Sequence, residues 1–550
     1  MGAGGDAMPG RAGPDVRRVA IVGAGPAGLF AARMAGLLLP GAEVEVHERG
    51  APGEASGFGV TLSARTLGGI GEADPDTHRR IVAASRPLSG IEIVLPGARL
   101  RYDGFEVASI SRHTLLAILR EQAEAVGARI RYGDAVAPDA LPDADVVVLA
   151  DGASSACRAV RADGFGTTTL TGTARFVWLG TDAPFGDRTS FAFVRTPHGP
   201  MAAHCYPHAD AGGTVVAEMD EATWRAAGFG DTGGDAGEGG ASGPLGDDAL
   251  GRLSEVFAEH LNGRKLVGDR ARWSRFTVVT NRRWSDGNTV LLGDAAHTAH
   301  FTVGSGTKLA LEDAIALASA LAAHPDRTEA FAAYERARRG PVERTQRLAF
   351  PSMRWWESFG RRLDLPPEEF GLHFLTRTAA MTHAALRRRC PDRLAEAEAA
   401  YRRAAGDDRP GDARPGHARH AVDTPLRLGS TTLPDRVVPL PATGPRLHEL
   451  WCPEDPDWSE NDVPASLPDA DADADGILVR TQGPAWERWH ETVRYAAAIR
   501  AAHRLPVAVQ VPADWREGPG LDADEDTWSA RIHLALLAGR IDLIAVTAGL

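Results

Sequence analysis

Gly23-Ala24-Gly25-Pro26-Ala27-Gly28 constrains this chain more than any other segment. Val19–Val22 before it is a short apolar run. Leu29–Leu39 after it is apolar at helical spacing, and Glu43–Glu48 alternates Val44 and Val46 with polar residues. Strand, glycine turn, helix and strand make a βαβ unit. In Gly-x-Gly-x-x-Gly the first glycine permits the tight turn and the second lets the backbone approach a diphosphate. The third lets helix pack closely on strand. The helix N-terminus then offers free N–H groups and the positive end of its dipole to phosphate. Glu48, twenty residues after Gly28, is placed to accept hydrogen bonds from ribose hydroxyls. These residues predict a dinucleotide site and leave FAD and NAD both open.

The remaining composition narrows the class. In 550 residues, 43% are hydrophobic and 24% charged, which suits a globular chain and excludes global disorder. The net charge of −13 argues against a nucleic-acid partner. No apolar run reaches the ~20 residues of a membrane span, so no membrane partner is expected. Met1–Asp15 is Gly-rich without an apolar core and reads as a disordered tail rather than a signal peptide. Cys157, Cys205, Cys390 and Cys452 are far apart, without Cys-x-x-Cys, which predicts a reduced cytoplasmic protein with no metal site. Asp471-x-Asp473-x-Asp475-Gly476 mimics a calcium loop, but its twelfth position is Gln482 rather than a bidentate Glu. Only Lys265 and Lys308 are lysines, so a lysine at a motif position draws notice.

Further along, Thr114–Val126 reads as an amphipathic helix and Asp145–Ala150 as a buried strand. Ala174–Thr181, Ser190–Arg195, Met201–Tyr206 and Thr214–Met219 alternate as an antiparallel sheet would. Residues 229–248, rich in Gly, Asp and Ser, predict a mobile loop. Thr289–Leu292 is a strand and Ser305–Ala323 a helix, and 346–404 is largely helical. Residues 405–423 read as a linker to a separate unit, 424–550.

Two further motifs follow strands. Asp151-Gly152-Ala153-Ser154-Ser155-Ala156-Cys157-Arg158 could alone be an Asp-Gly turn. Gly293-Asp294-Ala295-Ala296-His297 runs on to Gly304-Ser305-Gly306-Thr307-Lys308 and a helix. An Asp at a strand end can hold sugar-alcohol hydroxyls, and a glycine-flanked helix start offers N–H groups to negative charge. Together, in this order, the three motifs resemble the single-component flavin aromatic hydroxylases of the para-hydroxybenzoate hydroxylase family. Tyr334-Glu335-Arg336-Ala337-Arg338 fits that family's Tyr-Glu-x-x-Arg helix. The resemblance covers roughly residues 16–400.

The resemblance implies an α/β chain, α+β overall. A Rossmann-type FAD domain (16–172 and 270–345) would carry an inserted antiparallel substrate sheet (173–269). The helical segment 346–404 and a small α/β C-terminal domain would follow. FAD would be held by Gly23, Gly25, Gly28, Glu48, Arg49, Arg112, Asp151, Gly293, Asp294, Gly304 and Gly306. NADPH or NADH would reduce it transiently, and O2 would be activated as a flavin C4a-hydroperoxide that hydroxylates an electron-rich ring.

Family members often carry a Pro pair and an Asn after Gly-Asp; this chain has His300-Phe301 and Lys308. That stretch, with Gly57-Phe58-Gly59-Val60 and Ala203-His204-Cys205-Tyr206, resembles the subgroup acting on salicyloyl- and anthraniloyl-CoA thioesters and in indole pathways. The candidate catalytic residues are His204, Tyr206, His300 and Lys308. His204 and Tyr206 share one strand face. His300 is expected beside the flavin ring, and Lys308 would compensate its charge, the alternative being a surface lysine at a helix start. His297 reads as structural, and Trp355, Trp356 and Phe359 as packing.

Thr424–Arg436 resembles the entry to Old Yellow Enzyme barrels. A (β/α)₈ barrel needs ~250 residues, and 127 remain, so a shortened remnant for packing or homo-oligomer assembly is expected. The substrate could be an aryl-CoA thioester or a free phenol, pyridinol or indole. A redox-silent flavoprotein scaffold is the reading from another class.

Overall fold

The computed structural model describes residues 16–547, apart from 54–57, 209–211, 231–244, 269, 379, 407–419, 441–444, 456, 465, 468–472, 504 and 518–525. The expected tail 1–15, most of loop 229–248, most of linker 405–423 and Asp471 lie outside the described residues.

A six-stranded sheet carries the glycine motif. Its order is Ser285–Asp286, Thr289–Leu291, Val146–Leu149, Arg18–Val22, Glu43–Glu48 and Arg129–Tyr132, parallel except at the Ser285–Asp286 edge. Val146–Leu149 is buried throughout, as a parallel strand covered on both faces must be. Helix Pro26–Leu38 packs on helices Arg112–Glu124 and Gly306–Ala323. Both of those helices open at candidate site residues.

The second sheet has eight strands and reaches beyond the expected 173–269. Arg175–Thr181, Gly213–Met219, Gly199–Pro207 and Arg188–Thr196 are joined by Arg86–Leu95, Ala98–Ser111 and Gly59–Leu62. Arg188–Thr196 runs parallel to Arg86–Leu95, and the other pairings are antiparallel. Asp103-Gly104 looks like a turn in sequence. The strand runs through it, with Gly104 at φ +77°.

Helix Arg327–Trp356 is continuous through Pro341 and Pro351. It delivers Trp355 and Trp356 to the face of the second sheet that carries Phe191, Phe193 and His204. There Phe193 stacks on Trp356 at 5.6 Å, and Phe191 meets Phe374 at 4.8 Å. Trp355, Trp356 and Phe359 thus pack, as their residue types suggest.

Residues 437–547 form a five-stranded, all-parallel sheet ordered Val437–Leu440, Leu543–Thr547, Val507–Val511, Gly476–Arg480 and Leu447–Trp451. Its end strands do not pair with each other among the described residues, so the sheet is open. The barrel-like entry residues form the hairpin Leu426–Leu428/Thr431–Leu433, which closes one face with Leu428, Val438, Leu478 and Leu543. The other face and helices Ala485–His503 and Trp528–Leu537 share one buried cluster with the body. That cluster runs from Phe193 through Trp356 and Phe374 to Ile499, Ile532 and Leu537.

Polar contacts fix this junction. Arg540 donates to Thr376 Oγ1 (3.2 Å) and the His373 carbonyl (2.9 Å), and Arg354 to the Asp457 carbonyl (3.1 Å). His383, Glu398 and His533 could resemble a metal triad. However, His533 Nδ1 accepts the Ala421 N–H at 2.9 Å. The proton of a neutral ring therefore sits on Nε2, which donates to Glu398 at 3.0 Å and has no lone pair for a metal.

Candidate active site

One continuous cavity of about 2310 Å³ lies between the first two sheets. Its lining includes Glu48, which accepts the Ala24 N–H and so places the cavity beside the glycine turn, although Gly23, Gly25 and Gly28 do not themselves line it. Gly23 takes φ +105°, and a Cβ on Gly28 would stand 1.9 Å from the Gly23 carbonyl oxygen. A Cβ on Gly25 would meet nothing within 4 Å, so open space faces the backbone where a diphosphate is expected. Helix Pro26–Leu38 has no side-chain cap, which leaves its first N–H groups available. Glu48 lines the cavity, its carboxylate accepting the Ala24 N–H (2.8 Å) and the Gly50 N–H (2.7 Å), with lone pairs remaining for ribose. Arg49 stands exposed beside it on the wall.

The Gly-Asp motif closes the middle. Asp294, Gly304 and Gly306 line the cavity, and a Cβ on Gly306 would sit 4.0 Å from Asp294 Oδ1. Gly293, at φ +60°, sets the turn that aims Asp294 inward. Burial raises the Asp294 carboxyl, opposed by His297 and Arg112. Arg112 opens helix Arg112–Glu124 and lines the same wall; its Nε has no partner within the chain. An open glycine cradle, an uncapped helix and unspent polar atoms on one wall fit a flavin dinucleotide.

Asp151 is placed differently from expectation. It is hydrogen-bonded with the Cys157 thiol and does not line the cavity, whereas Ala153, Ser154, Ser155 and Arg158 do. Arg158 ties the two motifs together through the Ala153 (2.6 Å) and Ala295 (2.9 Å) carbonyls. The motif's strand-end Asp therefore braces the loop, and the loop's own backbone meets the cavity. His297 sits behind the wall at 2.8 Å from Asp313, which Arg338 also holds at 2.7 Å.

The far end is an aromatic chamber. Phe301 meets Phe176 at 4.8 Å, Trp178 at 5.9 Å and His204 at 5.7 Å between ring centres. His204 and Tyr206 both line the cavity, as their shared strand face requires. Tyr206 Oη donates to the Gly59 carbonyl at 2.8 Å, close to Arg112. His204 is backed by Trp356 at 4.1 Å, and its Nε2 lies 3.0 Å from Glu218. Burial drives the His204 pKa down and the Glu218 pKa up, favouring the uncharged form of each. Glu218 thus stands behind the imidazole as the polar group that faces its Nε2.

Two expected catalytic residues are corrected. His300 does not line the cavity. Its ring lies behind Phe301 at 4.4 Å, its Nδ1 pairs with Thr302 Oγ1 at 2.7 Å, and burial takes its pKa down to about 3. Lys308 does not line it either; one turn into its helix, it points along the surface to Glu312 at 3.8 Å. A cation whose charge acts on both His204 and Glu218 is Arg377, which sequence reasoning missed. It is half-buried in the cavity wall and donates to Ser352 Oγ, the Phe374 carbonyl and the Thr302 carbonyl, each at 2.9 Å. Glu218 was missed as well. A lone acid in Val215-Val216-Ala217-Glu218-Met219 was the available signal, since it sits diagonally across from His204.

The FAD-binding-domain family model matches residues 17–349. The chain is 37% identical over 561 residues to salicyloyl-CoA 5-hydroxylase from Streptomyces sp, covering 96% of this chain and 100% of that one. It is 38% identical over 351 residues to 3-hydroxy-4-methyl-anthranilyl-[aryl-carrier protein] 5-monooxygenase from Streptosporangium sibiricum, covering 64% and 91% respectively. A tetrameric form of 2-methyl-3-hydroxypyridine-5-carboxylic acid oxygenase shares the fold, with TM-score 0.51, 19% identity and coverage of 69% and 98%. Among the described residues no helix is long and apolar enough to cross a membrane. With a dinucleotide cradle opening onto an aromatic chamber and relatives of this kind along its whole length, the chain belongs to the FAD-dependent aromatic-ring hydroxylases.

Proposed function

We propose that this hydroxylase acts on an aromatic ring carried as an acyl thioester, with NADPH or NADH as a transient reductant. The observation that carries this reading is the cavity's lining. The cavity that holds Phe176, Trp178 and Phe301 is also lined by the polar residues Thr169, Thr171, Thr277 and Ser274. A free phenol or pyridinol would leave those polar groups unused. The two relatives named for CoA-linked and carrier-linked aryl substrates support the same class.

FAD, when bound, supplies the reducing equivalents and the activated oxygen. Gly23, Gly25 and Gly28 would admit its diphosphate, Glu48 its adenosine ribose, and Asp294 its ribityl chain, with Arg49 and Arg112 alongside. Phe176, Trp178 and Phe301 hold the ring and exclude water from it. His204 hydrogen-bonds an oxygen substituent on the ring or the thioester carbonyl, with Glu218 behind its Nε2. Arg377 adds positive charge on the same wall as negative charge develops on the ring. The test is NAD(P)H oxidation by the FAD-loaded protein against aryl-CoA thioesters and the free acids and phenols, with product masses. Coupled oxygenation of a thioester is the expected result; coupling to free rings alone would overturn the thioester reading.

A further inference from the structure

We propose that Arg270, Arg272 and Arg275 form an anion-binding rim for the diphosphate and phosphorylated ribose of a coenzyme A thioester. This rests on the thioester reading above. All three arginines line the cavity that holds His204 and Phe301. The segment is fastened to the chamber wall. Ser274 N–H donates to the Phe176 carbonyl at 2.9 Å, and Phe176 N–H donates to the Ser274 carbonyl at 3.0 Å. Phe276, at the inner end, joins the aromatic wall 6.1 Å from Phe301. Arg270 and Arg272, at the outer end, are exposed. Seven consecutive residues thus lead from the ring's chamber to a cationic mouth.

The charge of Arg272 is left for a ligand. The chain carries net charge −13, yet no carboxylate of the described residues lies within ion-pair reach of Arg272. Arg275 is 3.6 Å from Glu221, whose carboxylate is already committed to Arg175 at 2.6 Å. Guanidinium groups match phosphate oxygens two at a time and stay charged when partly buried. The flavin's own diphosphate has the glycine turn and the start of helix Pro26–Leu38, so the rim is not needed for it. An acyl-CoA has this polarity: an aromatic head for the chamber, an amide-bearing arm for the threonines of the lining, and a multiply charged end for the arginines. A phosphorylated adenosine could also come from NADPH, and a phosphopantetheine arm from a carrier protein; the experiment separates these sources.

The test uses the full-length FAD-loaded protein with salicyloyl-CoA, salicyloyl-pantetheine (the same thioester without the nucleotide), carrier-bound salicylate and free salicylate. In the wild type, KM for the CoA thioester is expected to be at least about tenfold below that for the pantetheine thioester, as one good charge-assisted contact supplies. That advantage should shrink as ionic strength rises. Arg272→Glu should raise KM for the CoA thioester until the two substrates converge, with KM for NADPH unmoved. Equal KM values in the wild type, or a preference insensitive to salt, would overturn the rim while leaving the thioester reading intact. So would an Arg272→Glu effect on KM for NADPH alone, or turnover confined to the carrier-bound substrate. Turnover of free salicylate alone would overturn both. The salt series needs no variant, so misfolding of Arg272→Glu would not protect the proposal.

Discussion

The molecule contains two largely parallel sheets flanked by helices, and among the described residues the N-terminal one borders the cavity. In the N-terminal sheet, Gly23, Gly25 and Gly28 clear the strand end, and the next helix begins uncapped at a cavity. In the C-terminal sheet the corresponding edge is occupied by the protein itself. Arg480 spans from Glu449 (2.6 Å) to Gln510 (3.0 Å), and the helices are buried in the core shared with the hydroxylase body. A parallel sheet becomes a binding site where its loops withhold side chains and leave helix N–H groups unspent. Where the same edges are filled and paired, the sheet becomes a buttress. The relative from Streptosporangium sibiricum aligns over only 64% of this chain while covering 91% of its own length. A hydroxylase body can therefore exist without most of the buttress; here the body's aromatic wall is built to receive it.

The largest expected effects break each half in its own way. Gly28→Val forces carbons into the Gly23 carbonyl, and the purified protein should carry no flavin absorbance. Gly25→Ala should fold with an unchanged melting temperature, because its methyl meets no protein atom, yet lose flavin affinity by roughly tenfold or more as the methyl takes diphosphate space. Deleting 424–550 should act oppositely: the cradle stays intact, but the Phe193–Trp356–Phe374 wall is exposed. Insolubility, or a melting temperature more than about 10 °C lower by calorimetry, is expected. A truncated protein with full stability would show that the sheet is no buttress.

Acid sharpens the comparison. Burial takes His490 down to about 3 and His420 to about 2 from an ordinary 6.5. The unfolded chain therefore binds protons that the native chain refuses. Stability should be complete above pH 6.5 and fall below it, by up to about 1.4 kcal/mol per pH unit for each histidine. Glu398, held at about 2 against burial by His383 and His533, adds a further loss below its ordinary 4.5. These groups sit at or beyond the junction, while His204 and His300 are the comparable groups in the chamber. Hydrogen exchange across pH 7 to 4 should show the C-terminal sheet opening first. In the chamber, Glu218→Ala should lower kcat about tenfold by removing the polar group behind His204. Glu218→Gln, which keeps a polar group facing the same nitrogen, should restore most of it. Lys308→Ala, which removes the 3.8 Å ion pair with Glu312, should change kcat and melting temperature least.

The cradle was legible because its chemistry is local: a strand, three glycines, a helix and Glu48 fall within about thirty residues, and Gly293-Asp294 repeats that logic. The chamber was legible only where one strand carried it, as with His204 and Tyr206. Glu218 and Arg377 come from other elements, and their roles arise from register and burial that no local pattern encodes. His300 and Lys308 failed as catalytic candidates because position within a motif says nothing about which way a side chain turns. The strands at 59–111 join the second sheet through long-range pairings, such as Gly59–Leu62 with Ala108–Ser111, that no local pattern announces. The C-terminal sheet's role was hidden because its partner surface lies on residues far earlier in the chain.

Oxygen insertion into a thioester-borne ring is tested by ¹⁸O₂ labelling. With FAD-loaded protein, NADPH and an aroyl-CoA, one ¹⁸O atom is expected in the ring of an intact CoA product, matched by one NADPH oxidised. NADPH oxidation with unlabelled thioester recovered, or label found only in products of free rings, would contradict it.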